Sequence, residues 1–245
     1  MKKYWLLPVI AMSFLLSSCG SRGLSAEEAG ELFVDRLVYQ KEESKFATNF
    51  RDGQQLGKEL DKNSEAFEEN FTSGLASTGV EVPEEEANQL TKELLQQVKQ
   101  KTSYKIVKID ETKTGATISY YVIGLDLVSA MQEMTRELIK KAINDPEIAK
   151  DDQKALEATF SILEERVKAI KIKSDPVKLS VRLEKEKGKW FIPKDQDEAV
   201  SNLFMAFISG SKDAETMEKE LEEALAIVAN EVVDSLNTPT PTIEN

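Results

Sequence analysis

Between Pro176 and Pro193 the chain reads PVKLSVRLEKEKGKWFIP, and from Val177 to Glu184 its apolar and polar residues alternate with a period of two. Val177, Leu179, Val181 and Leu183 fall on one side, and Lys178, Ser180, Arg182 and Glu184 on the other. That is the pattern of a half-buried antiparallel strand, since successive side chains point to opposite faces. Lys187-Gly188 supplies a turn and Trp190-Phe191-Ile192 the returning strand. A second pair is expected at Tyr104–Asp110 and Ala116–Leu127, joined by a polar turn with Gly115. In its second member Ile118, Tyr120 and Val122 face one way. Thr117, Ser119, Tyr121 and Ile123 face the other.

The rest of the chain follows a helical period. Ser25-Ala26-Glu27-Glu28 fits a capping box, in which a serine hydroxyl and a glutamate three residues on satisfy each other's amides. Ala29, Leu32, Phe33, Leu37 and Val38 follow, and the helix is expected to run on towards Phe46. Leu56, Leu60, Phe67 and Phe71 mark at least one more helix, and Gly74 to Val82 reads as a loop. Pro83 with Glu84, Glu85 and Glu86 opens a third, because proline suits the first turn and carboxylates suit the helix dipole. Leu90, Leu94, Leu95 and Val98 are its stripe. Between the two strand pairs lie helices carrying Met131, Met134 and Leu138, then Leu156, Phe160, Leu163 and Val167, separated by Asn144-Asp145-Pro146. After the second pair, Asp195-x-x-Glu198 fits another capping box ahead of Val200, Leu203, Phe204, Phe207 and Ile208, up to Gly210. A last helix carries Met217, Leu221, Leu225, Val228, Val232 and Leu236.

This pattern is α+β: a four-stranded antiparallel curved sheet packed against helices on one side, with an additional helical segment between the two hairpins. The expected organisation is a body over residues 26–237, a helical insertion at 128–172, and a disordered tail at 238–245.

Composition narrows the chemistry. The chain has 44 acidic and 32 basic residues, a net charge of -12, which disfavours nucleic acid as a partner. It contains 0 His, which removes the usual base near neutral pH and the commonest metal ligand. Its single cysteine, Cys19, leaves no internal disulfide. No cofactor or metal is implied. Asp195, Asp197 and Glu198 cluster at a helix start, but capping accounts for Asp195 and Glu198 without a cation. Adjacent carboxylates such as Glu68-Glu69 and Glu164-Glu165 arise by chance in so acidic a chain.

Cys19 has a distinctive setting. Lys2 and Lys3 precede an apolar run from Tyr4 to Leu16, too short to cross a bilayer comfortably and followed at once by small residues. This is a secretion signal over residues 1–18. Leu16-Ser17-Ser18-Cys19 resembles the lipobox of bacterial lipoprotein precursors. The resemblance implies a diacylglyceryl group on the Cys19 thiol, cleavage just before it, and a short tether over residues 19–25. Two motifs widen the likeness, Tyr104–Ile109 and Gly188–Ile192. With the helices-then-hairpins order, they resemble uncharacterised surface lipoproteins of Gram-positive bacteria with a nuclear-transport-factor-2-like (cystatin-like) fold. That likeness implies a location on the outer face of the cell membrane and carries no catalytic residue across.

Three tyrosines, Tyr104, Tyr120 and Tyr121, are the candidates for lining a pocket in the sheet, where a phenol offers a hydrogen bond beside an apolar ring. The expected function is a non-catalytic, membrane-anchored lipoprotein that binds a small molecule, a peptide, a wall component or an envelope protein. The competing readings are an envelope enzyme using Asp/Glu or Tyr chemistry, and the solute-capture subunit of a transporter.

Overall fold

The computed structural model describes residues 23–76 and 83–237. The signal segment, Cys19, most of the tether, part of the Gly74–Val82 loop and the tail at 238–245 lie outside the described residues. Four helices come first: α1 (Ala26–Leu37), α2 (Glu43–Asn49), α3 (Gly53–Ala76) and α4 (Glu84–Lys101). A hairpin of β1 (Ser103–Glu111) and β2 (Gly115–Ile123) leads to α5 (Leu127–Asn144) and α6 (Asp152–Ala169). A second hairpin, β3 (Val177–Glu186) and β4 (Lys189–Phe191), leads to α7 (Asp197–Ser209) and α8 (Ala214–Asn237).

The four strands form one antiparallel sheet in the order β1-β2-β3-β4. Ile118 sits between Ile109 and Val181, and Tyr120 between Ile106 and Leu179, so the apolar positions of neighbouring strands share a face. Helices α1 and α7 cover that face. Ile118, Tyr120, Val122, Val181 and Leu183 are fully buried beneath them. The period-two reading of β3 therefore holds at its inner end. Val177 and Leu179, on the same face, are only half-buried, because they occupy the outer end of the strand. The β3–β4 turn is tight, with Lys187 at φ 49° and Gly188 at φ 83°. Two consecutive positive φ values match the twist of a two-residue hairpin.

Other boundaries move for local reasons. The Ser25–Glu28 capping box forms, with the Glu28 carboxylate accepting from the Ser25 amide at 2.8 Å. However, α1 stops at Leu37 instead of continuing to Phe46, because Gln40 and Glu42 adopt left-handed φ of 52° and 56°. Strand β2 ends at Ile123, short of Leu127. At Gly124 a Cβ would lie 1.9 Å from the Ala206 carbonyl of α7, so only glycine lets the chain turn off the sheet there. The Asp195–Glu198 capping box does not form. A 3-10 turn over Lys194–Gln196 intervenes, and no side chain caps α7. In α8, Ala224 and Val228 are buried but Leu225 is exposed, contrary to the stripe read from its spacing.

The segment between the hairpins folds back on itself. The Asp126 amide donates to the Lys171 carbonyl at 2.8 Å, and the Lys173 amide to Gly124 at 2.9 Å. The chain thus leaves β2 and returns towards β3 at one stem. Helix α5 packs on α6, α8 and α7, and α6 on α4, so this arm joins the main core through α4 and α7.

Candidate functional site

The structure does not bring the three tyrosines together. Tyr104 and Tyr120 face the helices, their ring centroids 6.1 Å apart, with Tyr39 and Phe207 beside them. Their hydroxyls are engaged locally. Tyr120 donates to the Gly30 carbonyl at 3.2 Å, and Tyr104 is 3.3 Å from both the Glu31 carbonyl and Asp35 Oδ1. Tyr39, which the sequence reading passed over, donates to the Thr102 carbonyl at 3.2 Å. Burial raises all three phenol pKa values; the Asp35 carboxylate adds to the rise at Tyr104 and Tyr39. This is a packed aromatic cluster that ties α1 to the sheet. Tyr121 points to the opposite face, 41% exposed, paired across the strands with Lys105 and Lys178.

A cleft of about 730 Å³ lies elsewhere, between α3 and the β4–α7 segment. Binding sites for small molecules span about 300–1,000 Å³, so this one is of useful size. Leu56 and Leu60 from α3 form one apolar wall, and Ile192 and Val200 the other. The rim is charged in both senses, with Arg51, Lys194, Asp52, Glu59 and Asp197, and Gln55 and Asn63 add amides. Neither serine, threonine, tyrosine nor cysteine lines it, so it offers no side-chain nucleophile beyond its carboxylates and lysine. Its chemistry suits recognition: an apolar body held between helix and strand, with polar ends met at the rim.

Arg51 is the best-fixed cation of that rim. Its amide donates to the Trp190 carbonyl at 2.7 Å, its guanidinium lies 3.8 Å from the centre of the Phe191 ring, and it meets Glu186 at 2.8 Å. A guanidinium stacked on an aromatic face keeps its charge while gaining about 0.5–1 kcal/mol at an exposed site. The sequence held no local signal for this cleft, because its walls come from segments about 140 positions apart.

Asp195 is not free for a ligand, since both its oxygens accept from Arg182, at 2.7 and 2.6 Å. Lys168 pairs with Glu164, and Lys173 reaches Glu220 at 2.7 Å, holding α8 against the stem. No cluster of three or more His, Cys, Asp or Glu that would hold a metal occurs among the described residues. Nor is any described helix long and apolar enough to cross a membrane.

No curated protein matches the sequence. The fold is similar to the crystal structure of ycdA from Bacillus subtilis, described there as a candidate lipoprotein. The TM-score is 0.53 at 15% identity, over 76% of this chain. This chain spans 57% of the length of that one. A family model described as a domain of unknown function, DUF5105, matches residues 16–208. That range begins beside Cys19, takes in the sheet and the cleft, and stops within α7, leaving α8 beyond it. With most of its length inside that match, the chain belongs to the DUF5105 family.

Proposed function

We propose that the mature protein is a non-catalytic lipoprotein, held on the outer face of the cell membrane by acylated Cys19, and that it captures an amphiphilic ligand or peptide in the α3–β4–α7 cleft. The observation that carries this reading is the position of Leu16-Ser17-Ser18-Cys19, directly after an apolar run and five residues before the folded body at Leu24. The similarity in fold to a candidate lipoprotein supports it. Dual acylation is strong enough for a stable anchor, at about 0.8 kcal/mol per buried methylene. We read the sheet and its covering helices as a variant of the nuclear-transport-factor-2-like fold, with α5 and α6 inserted between β2 and β3.

Mass spectrometry of the mature amino terminus tests the anchor. A diacylglyceryl-modified Cys19 is expected, and Cys19→Ala should leave an uncleaved precursor without acyl mass. A mature chain that begins elsewhere refutes it. Titration with anilinonaphthalene sulfonate, an apolar body with an anionic head, tests the cleft. Saturable binding that Leu56→Asp abolishes is expected, and binding that ignores this substitution refutes the assignment.

A further inference from the structure

The chain joins the body at a tip built from both hairpin turns. The Leu24 carbonyl accepts two hydrogen bonds, from Trp190 Nε1 and from Lys185 Nζ, each at 3.0 Å. Gly23 lies against the Gly188 carbonyl in the β3–β4 turn. The Lys185 amide donates to the Thr114 carbonyl at 2.6 Å, which sets the β1–β2 turn beside the β3–β4 turn. Lys113, Lys187 and Lys189 are exposed on these two turns, and Lys185 lies beneath them, its Nζ 4.9 Å from the centre of the Trp190 ring.

This is a local reversal of sign in a protein of net charge -12. Two of the carboxylates at the same end are engaged. Glu186 pairs with Arg51, and Glu28 accepts from the amide and hydroxyl of Ser25. Glu27 and Glu111 stand against the four lysines.

We propose that this tip is a docking surface for the anionic phospholipid headgroups of the membrane that holds the anchor. The proposal rests on the Cys19 reading. From Cys19 to Leu24 there are five residues, which extend at most about 17 Å, so the tip is the part of the body held nearest the bilayer. Charges beyond about 8 Å are largely screened at physiological ionic strength. The tip lysines come within that range of the headgroups when the tether is drawn in, ahead of the acidic helices further from it. A basic residue near an anionic leaflet contributes about 1 kcal/mol, or roughly fivefold in occupancy. The anchor then sets distance and the lysines set orientation, with the β-turns down and α5, α6 and α8 outward.

Hydrogen exchange of the acylated, mature protein in vesicles tests this. Phosphatidylcholine vesicles are compared with phosphatidylcholine–phosphatidylglycerol vesicles. Amides of residues 112–115 and 186–190 should exchange about fivefold or more slowly on the anionic vesicles. High salt should erase the difference, as should K113E/K187E/K189E, while exchange in α5 stays unchanged. Equal exchange on both lipids overturns the proposal, as does a difference that survives the triple substitution. Slowing by soluble poly(glycerol phosphate) but not by vesicles would assign the tip to a wall polymer, and also overturns it. Failure of the anchor is read separately, from absent acyl mass and absent flotation with neutral vesicles.

Discussion

Arg36 lies on the inner side of α1, and its side chain is 7% exposed. Its two terminal nitrogens donate to Asp61 Oδ1 and Oδ2 of α3, both at 2.6 Å, and one of them also to the Gly57 carbonyl at 2.9 Å. Its Nε is buried without a partner. Asp61→Ala would leave a buried cation with a single carbonyl. Removing one partner of a buried pair costs about 3–5 kcal/mol. Asp61 is itself 37% exposed, so water can enter after truncation, and the low end, about 3 kcal/mol, is expected here. Arg36→Met keeps the apolar stem and leaves a carboxylate that water can reach, so it should cost about 1 kcal/mol. The double variant R36M/D61A should also cost about 1 kcal/mol, giving a coupling of about 3 kcal/mol between sites in direct contact. Urea unfolding followed by circular dichroism measures all three, provided the m-values agree. If Asp61→Ala costs under about 0.5 kcal/mol and the double variant is additive, the pair behaves as a solvated surface bridge. The claim that it clamps α1 to α3 would then fail.

Leu183→Ala, at a fully buried site, should cost about 2–5 kcal/mol in the same assay. Half-buried Leu179→Ala should cost less, and Arg182→Ala, an exposed pair with Asp195, no more than about 1 kcal/mol. A reversal of that order would mean that the outer face of β3 is covered. The aromatic cluster should make the fold sensitive to alkali. The phenols of Tyr39, Tyr104 and Tyr120 titrate higher in the folded chain than in the unfolded one, where tyrosine titrates near about 10. Their contribution is therefore fully present below that pH and is lost as pH rises through the folded values. Tyrosinate absorbance should lag behind a free-tyrosine curve and then rise together with loss of helix. Tyr104→Phe should weaken that alkaline loss, and an unchanged pH profile would refute the assignment.

The strands were legible because a sheet with one covered face writes a period of two into the sequence, and β3 does so from Val177 to Glu184. The helices between and around them were legible from their stripes, and Ser25 from its partner three residues on. Arg36 was not, since a charge on the apolar side of a helix makes sense only beside Asp61, which a different helix supplies. The end of α1 was hidden because its left-handed residues are Gln40 and Glu42, not glycine. Asp195 and Glu198 have the spacing of a capping box, but Arg182 competes for the same carboxylate and is served instead. The tyrosines could be sorted by parity, which puts Tyr120 and Tyr121 on opposite faces. That Tyr104 and Tyr120 would be packed under Tyr39 and Phe207 depends on where α1 and α7 lie.

The stem at Gly124–Asp126 and Lys171–Lys173 bears on the order in which the molecule assembles. Strands β2 and β3 are neighbours in the sheet, yet roughly fifty residues separate Ile123 from Val177. Closing so long a loop from a disordered chain costs roughly 2 kcal/mol more than closing a tight hairpin, because closure entropy grows with the logarithm of length. Helices α5 and α6 contact each other and are local in sequence, so they can pair on their own timescale before the sheet exists. Once paired they bring the two ends of the stem together, and β3 finds β2 as though the connection were short. An arm that pairs first would speed formation of the sheet through contacts made between its own two helices.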